Sequence, residues 1–266
     1  MANILAKQWR SIPPCVLTLA AMLAGVAAIV HALQGNLKEA AALVFAAMLL
    51  DGIDGAVARM MKGTSAFGME LDSFSDAMAL GAAPAIIVYQ LVNQISAESD
   101  TLPGWLPTAG AVLCAMIACA GVCRLARFRL TNDPHQDKGS YQGLAIGGPA
   151  GWVALFTFCH ATGVAYTLPN GAAIPFGIDA GPLAVLFWAV LVVLPFLEIS
   201  SIPYPKPTKN AWKFGLFAVC LVCTIAWEAV RPATALALLA YGLWYALLVP
   251  VVRRFQRRHP RQAVRT

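Results

Sequence analysis

Charge is what this sequence has least of. Only 12% of its 266 residues are Asp, Glu, Lys or Arg, against 59% hydrophobic, and the mean hydropathy is +0.68. A chain with so few charges cannot clothe a soluble core, so composition points to a polytopic membrane protein. Histidine is scarce too: His31, His135, His160 and His259 stand far apart, with no pair at metal-ligand spacing. The seven cysteines lie in or beside apolar stretches, and Cys220-x-x-Cys223 has no second ligand pair nearby. Packing is therefore the better reading of these thiols than zinc or redox work. No Gly-x-Ser-x-Gly and no P-loop pattern occurs, which removes the commonest signatures of serine hydrolysis and nucleotide cradling. Internal repeats are absent. No cleavable leader is evident, because the first apolar run begins near Ile12 and reads as a retained span.

Long apolar runs are what the chain does have. They predict an all-α membrane fold of about eight transmembrane helices, at 12–33, 37–60, 67–93, 106–128, 143–166, 181–202, 211–229 and 232–252. The proline-rich link Ser200 to Asn210 cannot be helix throughout and divides a six-helix core, 1–205, from a further helix pair, 206–252. A basic tail, 253–266, follows. All lysines and arginines except Lys38 and Arg231 fall on one side of this arrangement, so both termini are expected in the cytoplasm. Cationic residues beside spans, with no soluble basic domain, exclude a nucleic-acid partner and favour anionic lipid at the arginine-rich tail.

The few acids are not scattered. Asp51, Asp54, Asp72 and Asp76 crowd into 26 residues, DGIDGAVARMMKGTSAFGMELDSFSD. Spacings of three and four put each pair on one helical face, and the Lys62-Gly63-Thr64 turn lets the two helices run antiparallel. Four carboxylates then converge near that turn. Asp51 lies about 21 Å along a helix starting at Leu37, beneath the cytoplasmic surface of a hydrocarbon core about 30 Å thick. Bare carboxylates at that depth would be very costly. Two divalent cations would balance them, and oxygen-only ligands suit Mg²⁺ or Mn²⁺. Such a pair of ions forms a clamp for displacement at phosphorus. Gly55 and Ala58 leave the helix surface bare for a ligand, and Arg59 offers a planar cation to phosphate oxygens. The blander reading, interfacial acids paired with Arg59 and Lys62, leaves intramembrane acids without a purpose.

Arg124 and Arg127 share a face at the cytoplasmic end of the fourth span. They suit a phosphate or carboxylate, although ordinary positive-inside placement accounts for them equally well.

The pattern D-x-x-D-G-x-x-A-R, eight residues, then G-x-x-x-D-x-x-x-D resembles the CDP-alcohol phosphotransferase signature at every fixed position: Asp51, Asp54, Gly55, Ala58, Arg59, Gly68, Asp72 and Asp76. The resemblance implies a membrane enzyme that transfers a substituted phosphoryl group from a CDP-linked donor to an alcohol and releases CMP. It implies that the four aspartates hold the two cations, that Gly55, Ala58, Arg59 and Gly68 line the nucleotide, and that Asp76 doubles as general base. It also implies a homodimer.

Within that family the flanking residues resemble the bacterial-type phosphatidylserine synthases. They are Gly68-Met69-Glu70-Leu71-Asp72-Ser73, Gly81, Ala83-Pro84-Ala85, Tyr89, Arg124-Leu125-Ala126-Arg127-Phe128 and Ile202-Pro203-Tyr204-Pro205. This implies CDP-diacylglycerol as donor, L-serine as acceptor, and a bacterial inner membrane with the site facing the cytoplasm. The chain departs from the pattern at Pro13-Pro14-Cys15-Val16-Leu17-Thr18, where the asparagine of a Pro-Asn-x-x-Thr-type opening is lost, and at Gly143-Leu144-Ala145, where glycine-leucine-proline is weakened. Choline is the nearest rival acceptor. From another class, a cation-coupled transporter would also carry intramembrane acids, yet it gives no reason for Gly55, Ala58 and Arg59 beside them.

Overall fold

The computed structural model describes residues 2–61, 63, 65–98, 103–131, 140–167, 173–176, 178, 181–205 and 211–248. The tail 253–266, Lys62, Lys138, Lys206 and Lys209 lie outside the described residues. Helices carry the architecture, as expected. Helix α1 (Ala2–Leu33) starts before the apolar run and continues through Pro13 and Pro14. Hydropathy marks the stretch that suits lipid, whereas the helix can extend beyond it into water.

Gly35, at φ +82°, turns the chain into α2 (Leu37–Met60). The α1–α2 hairpin packs through small residues, with Ala28, Ala32, Ala40, Ala41 and Ala47 all fully buried. Lipid supplies no hydrophobic drive between helices, so close backbone approach through alanine is the available source of cohesion.

Ser65 caps the next helix, its hydroxyl accepting from the Gly68 N–H at 3.0 Å. The expected third span is one continuous stretch but not one uniform helix. It comprises α3 (Ala66–Asp76), a π-helical turn (Ala77–Ala82) and α4 (Ala83–Glu98). α1 crosses that wider turn so closely that a Cβ on Gly25 would collide with Ala79. Only glycine fits there. Helix α5 (Leu106–Thr131) completes the first half.

The second half departs most from the expected spans. Five of the expected eight, within 11–33, 37–60, 66–98, 106–130 and 182–199, are long and apolar enough to cross a membrane. The expected span 143–166 contracts to α6 (Gly147–Ala161), preceded by irregular chain. Fifteen residues reach about 22 Å, short of a core of about 30 Å. α6 tolerates this because it is the central helix, with Val153, Ala154, Phe156 and Cys159 fully buried. Non-helical backbone at membrane depth is acceptable where protein rather than lipid surrounds it.

Two short antiparallel ribbons flank α6. One pairs β2 (Ala165–Thr167) with β3 (Ala173–Pro175). The other pairs β1 (Ser140–Gln142) with β4 (Pro203–Pro205), in register Ser140↔Pro205, Tyr141↔Tyr204 and Gln142↔Pro203. The proline-rich link thus becomes an edge strand rather than plain connector, which suits residues lacking a backbone donor. Between the ribbons runs α7 (Pro182–Ile199). Helices α8 (Ala211–Ala226) and α9 (Arg231–Leu243), the latter continuing as a π turn (Trp244–Leu248), form the terminal pair. They pack on the core, α9 against α6 and α8 against α2. The buried Tyr204 hydroxyl donates to the Ala246 carbonyl at 2.9 Å, and burial pushes its pKa up to about 12. It therefore stays a donor at any working pH.

Candidate active site

The four aspartates meet as their spacing predicts. α2 presents Asp51 and Asp54, α3 presents Asp72 and Asp76, and oxygens of Asp51, Asp54 and Asp72 all lie within 4.8 Å of one another. Asp76 faces Asp51 within hydrogen-bonding reach. Carboxylates this close cannot all ionise unless cations or protons intervene. An all-oxygen cluster at this spacing fits a hard divalent cation, with Asp51, Asp54 and Asp72 as its holders.

α1 buttresses the cluster. The buried Thr18 hydroxyl lies 2.5 Å from Asp54 Oδ2 and 2.9 Å from the Pro14 carbonyl. Its single proton goes to the carboxylate, since the charge-assisted bond is the stronger. Ser75 Oγ donates in turn to the Thr18 carbonyl at 3.1 Å, tying α3 to the same turn of α1. On the outer face, Arg129 of α5 forms an ion pair with Glu70 of α3.

The cluster stands where two cavities join. The smaller, about 200 Å³, is bounded by Gly55, Ala58, Arg59 and Gly68, with Asp54 and Asp72 at its base. All four residues expected to line a nucleotide therefore share one cleft. Pro14, Cys15 and Ser65 complete its wall. A Cβ on Gly68 would sit 3.1 Å from Ser65 Oγ and 3.5 Å from Cys15 Sγ, so a side chain there would narrow it.

The larger cavity, about 400 Å³, reaches from Asp51, Asp76 and Arg124 to Phe217, Leu221, Leu238 and Tyr241 of the terminal pair. Asp54, Gly55, Arg59 and Asp72 border both cavities. The carboxylates thus stand between a small cleft that holds Arg59, Thr18 and Ser65 and a larger cavity walled in part by Phe217, Leu221, Leu238 and Tyr241.

The sequence profile of the CDP-alcohol phosphatidyltransferase family matches residues 11–252. The chain belongs to this family. It is 31% identical over 249 residues to the CDP-diacylglycerol–serine O-phosphatidyltransferase of Helicobacter pylori strain 26695, covering 90% of this chain and 93% of that one. A Methanocaldococcus jannaschii protein of the same name is 32% identical over 198 residues, 74% of this chain and 78% of its own. One from Mycobacterium tuberculosis strain H37Rv is 35% identical over 137 residues, 52% and 44% of the respective chains. Membership, together with the five long apolar helices, makes this an integral membrane phosphatidyltransferase.

The two arginines expected to act together on an anion part company in this phosphatidyltransferase. Arg124 is buried and lines the larger cavity beside Asp51 and Asp76. Its guanidinium carbon lies 5.6 Å from the centre of the Phe128 ring. Arg127 instead donates to main-chain carbonyls: Ile199 at 2.5 Å, Ser200 at 2.9 Å, Glu198 at 3.1 Å and Gln142 at 3.3 Å. The last carbonyls of a helix have no partner within it, and a cation is favoured there. From α5, Arg127 thus caps the carbonyl end of α7, a structural role that its sequence position did not indicate. Gly143, at φ +79°, makes room for this, because a Cβ there would strike the Glu198 carbonyl and stand 2.8 Å from Arg127 Nη2.

Sequence reasoning missed Thr18 as the partner of Asp54, and it missed Glu198. The signal for Glu198 was available, since it is the only charged residue in α7.

Proposed function

We propose that the protein transfers the phosphatidyl group of CDP-diacylglycerol to the hydroxyl of L-serine, yielding phosphatidylserine and CMP. The observation that supports this reading is the carboxylate cluster at the junction of a small cleft holding Arg59, Thr18 and Ser65 and a larger cavity walled by Phe217, Leu221, Leu238 and Tyr241. A donor with a nucleotide at one end and acyl chains at the other has matching requirements. Two divalent cations, Mg²⁺ or Mn²⁺, held by Asp51, Asp54, Asp72 and Asp76 would supply charge neutralisation at the diphosphate and at departing CMP.

The chain's own groups do the rest. Gly55, Ala58 and Gly68 allow the nucleotide against the helices, and Arg59 orients phosphate oxygens. Asp76 takes the proton of the serine hydroxyl, whose oxygen bonds to the phosphatidyl phosphorus as the phosphoanhydride bond to CMP breaks. Arg124 meets the serine carboxylate, a group that choline lacks, and a guanidinium can hold it by two parallel bonds. The apolar cavity walls keep bulk water from competing as acceptor.

The charge distribution supports a cytoplasmic mouth in a bacterial inner membrane, the tail binding anionic lipid, and the family resemblance supports a homodimer. The decisive experiment is an acceptor screen with CDP-diacylglycerol in reconstituted vesicles, comparing serine, choline, glycerol 3-phosphate and inositol phosphate. Serine-dependent CMP release with phosphatidylserine as product is expected. Preference for choline would overturn the acceptor, and no CMP release with any of them would overturn the reaction.

A further inference from the structure

Glu198 stands in the last turn of α7, 1% exposed, with both carboxylate oxygens buried and without a hydrogen-bond partner. Its burial and its place on the helix disfavour a negative charge there. The C-terminal end of a helix carries partial negative charge, and a buried carboxylate without hydrogen bonds is costly. A residue kept in such a place, at membrane depth, calls for a purpose.

Its neighbourhood supplies one. Arg127 fastens the Glu198 carbonyl at 3.1 Å, so the end of α5 lies against the end of α7. Arg124, one turn earlier on the same face of α5, stands within electrostatic reach of the Glu198 carboxylate. It is also within reach of Asp51 and Asp76. One guanidinium therefore serves two sets of acids.

Charge accounting shows what this arrangement is for. Four aspartates and two divalent cations cancel. Arg124 beside them adds one positive charge, and Glu198 removes it. Without Glu198 the loaded site would carry an uncompensated buried cation, and before loading Arg124 would act as a resident competitor for the aspartates. We propose that Glu198 is a positioning residue whose carboxylate holds Arg124 as its counter-ion, leaving the aspartate cluster free for divalent cations. This rests on the divalent-cation reading of the site, and the test separates the two.

The experiment is Mn²⁺ binding to the purified full-length protein by isothermal titration calorimetry, with neither donor nor acceptor present. Wild type, Glu198→Gln, Glu198→Asp and the double variant Glu198→Gln/Arg124→Gln are compared. An opposite charge at this range typically shifts an ionic equilibrium by one unit or more, so Glu198→Gln should weaken Mn²⁺ binding on the order of tenfold. Glu198→Asp keeps the charge and should stay close to wild type. The double variant removes both charges and should return to within about threefold of wild type. A purely structural role for Glu198 predicts no such rescue.

Wild-type affinity in Glu198→Gln, or a double variant as weak as the single one, would overturn the proposal. Should Glu198→Gln fail to fold alone, Arg124→Gln is compared with the double variant: tighter Mn²⁺ binding in Arg124→Gln, where the Glu198 charge is left unbalanced, supports the proposal, and equal affinity overturns it. If the wild-type protein itself binds no Mn²⁺, the divalent-cation reading falls and takes this inference with it.

Discussion

Thr18 reaches Asp54 from another helix, 36 positions away in sequence, and Arg127 reaches the end of α7 across 72. Such partners are not written in any local pattern. The aspartates were legible because their spacing within two helices fixes their direction, Gly55 and Ala58 because they follow one turn after an aspartate, Arg59 as a nearby planar cation, and Gly68 through the family pattern. The parting of Arg124 from Arg127 was not legible, since a shared helical face says nothing about what the opposite element offers. Two predictions follow at this scale. Asp51→Asn, Asp54→Asn, Asp72→Asn and Asp76→Asn should each abolish CMP release while membrane insertion is retained. Strong residual transfer in any two of them would contradict a shared cation site. Arg124→Lys keeps the charge but loses the fork, so serine KM should rise roughly ten- to hundredfold, equivalent to about 1.5–3 kcal/mol. Arg127→Gln should instead lower the thermal unfolding midpoint and leave serine KM near the wild-type value. Kinetics and unfolding curves for both variants would reveal a reversal of these roles.

At the scale of elements, hydropathy located each helix but misjudged the lengths of several. It registers how well a residue suits lipid, and α6 is apolar for a different reason, being surrounded by protein. The π turn after Asp76 was equally hidden, although Gly25 opposite it now has a physical account. The terminal pair, α8 and α9, looked separable at the Ser200 to Asn210 link. Yet Phe217, Leu221, Leu238 and Tyr241 wall the larger cavity, so the pair contributes directly to the site. If acyl chain occupies that space, Leu221→Trp should shift preference towards short-chain donors. Comparing dioctanoyl with dipalmitoyl CDP-diacylglycerol would measure it. Overpacking by itself costs about 1–3 kcal/mol, so the ratio of the two rates, rather than either rate alone, is the informative quantity. An unchanged ratio would mean that the chains lie elsewhere.

At the scale of the whole molecule, the sequence puts all basic residues but Lys38 and Arg231 on one side of the expected spans, the side proposed to hold the carboxylate mouth. Topology is therefore testable by labelling. In a cysteine-free background, Gln142→Cys at the exposed end of β1 should resist an impermeant maleimide applied to intact cells, and Gln34→Cys at the α1–α2 turn should react. The opposite pattern would invert the orientation.

The clamp made by Arg127 has a further consequence, concerning what evolution is free to change. It grips main-chain oxygens, and every amino acid supplies the same oxygen. The side chains at 142, 199 and 200 can therefore drift without loosening it, provided the backbone path is kept. Position 127 has no such freedom, because no other side chain presents five N–H groups in one rigid plane. Position 198 is bound twice over if the proposal holds, since its carbonyl accepts from Arg127 and its carboxylate balances Arg124. A library of variants across these positions should show tolerance at three of them and narrow tolerance at 127 and 198, a profile that side-chain chemistry alone would not suggest.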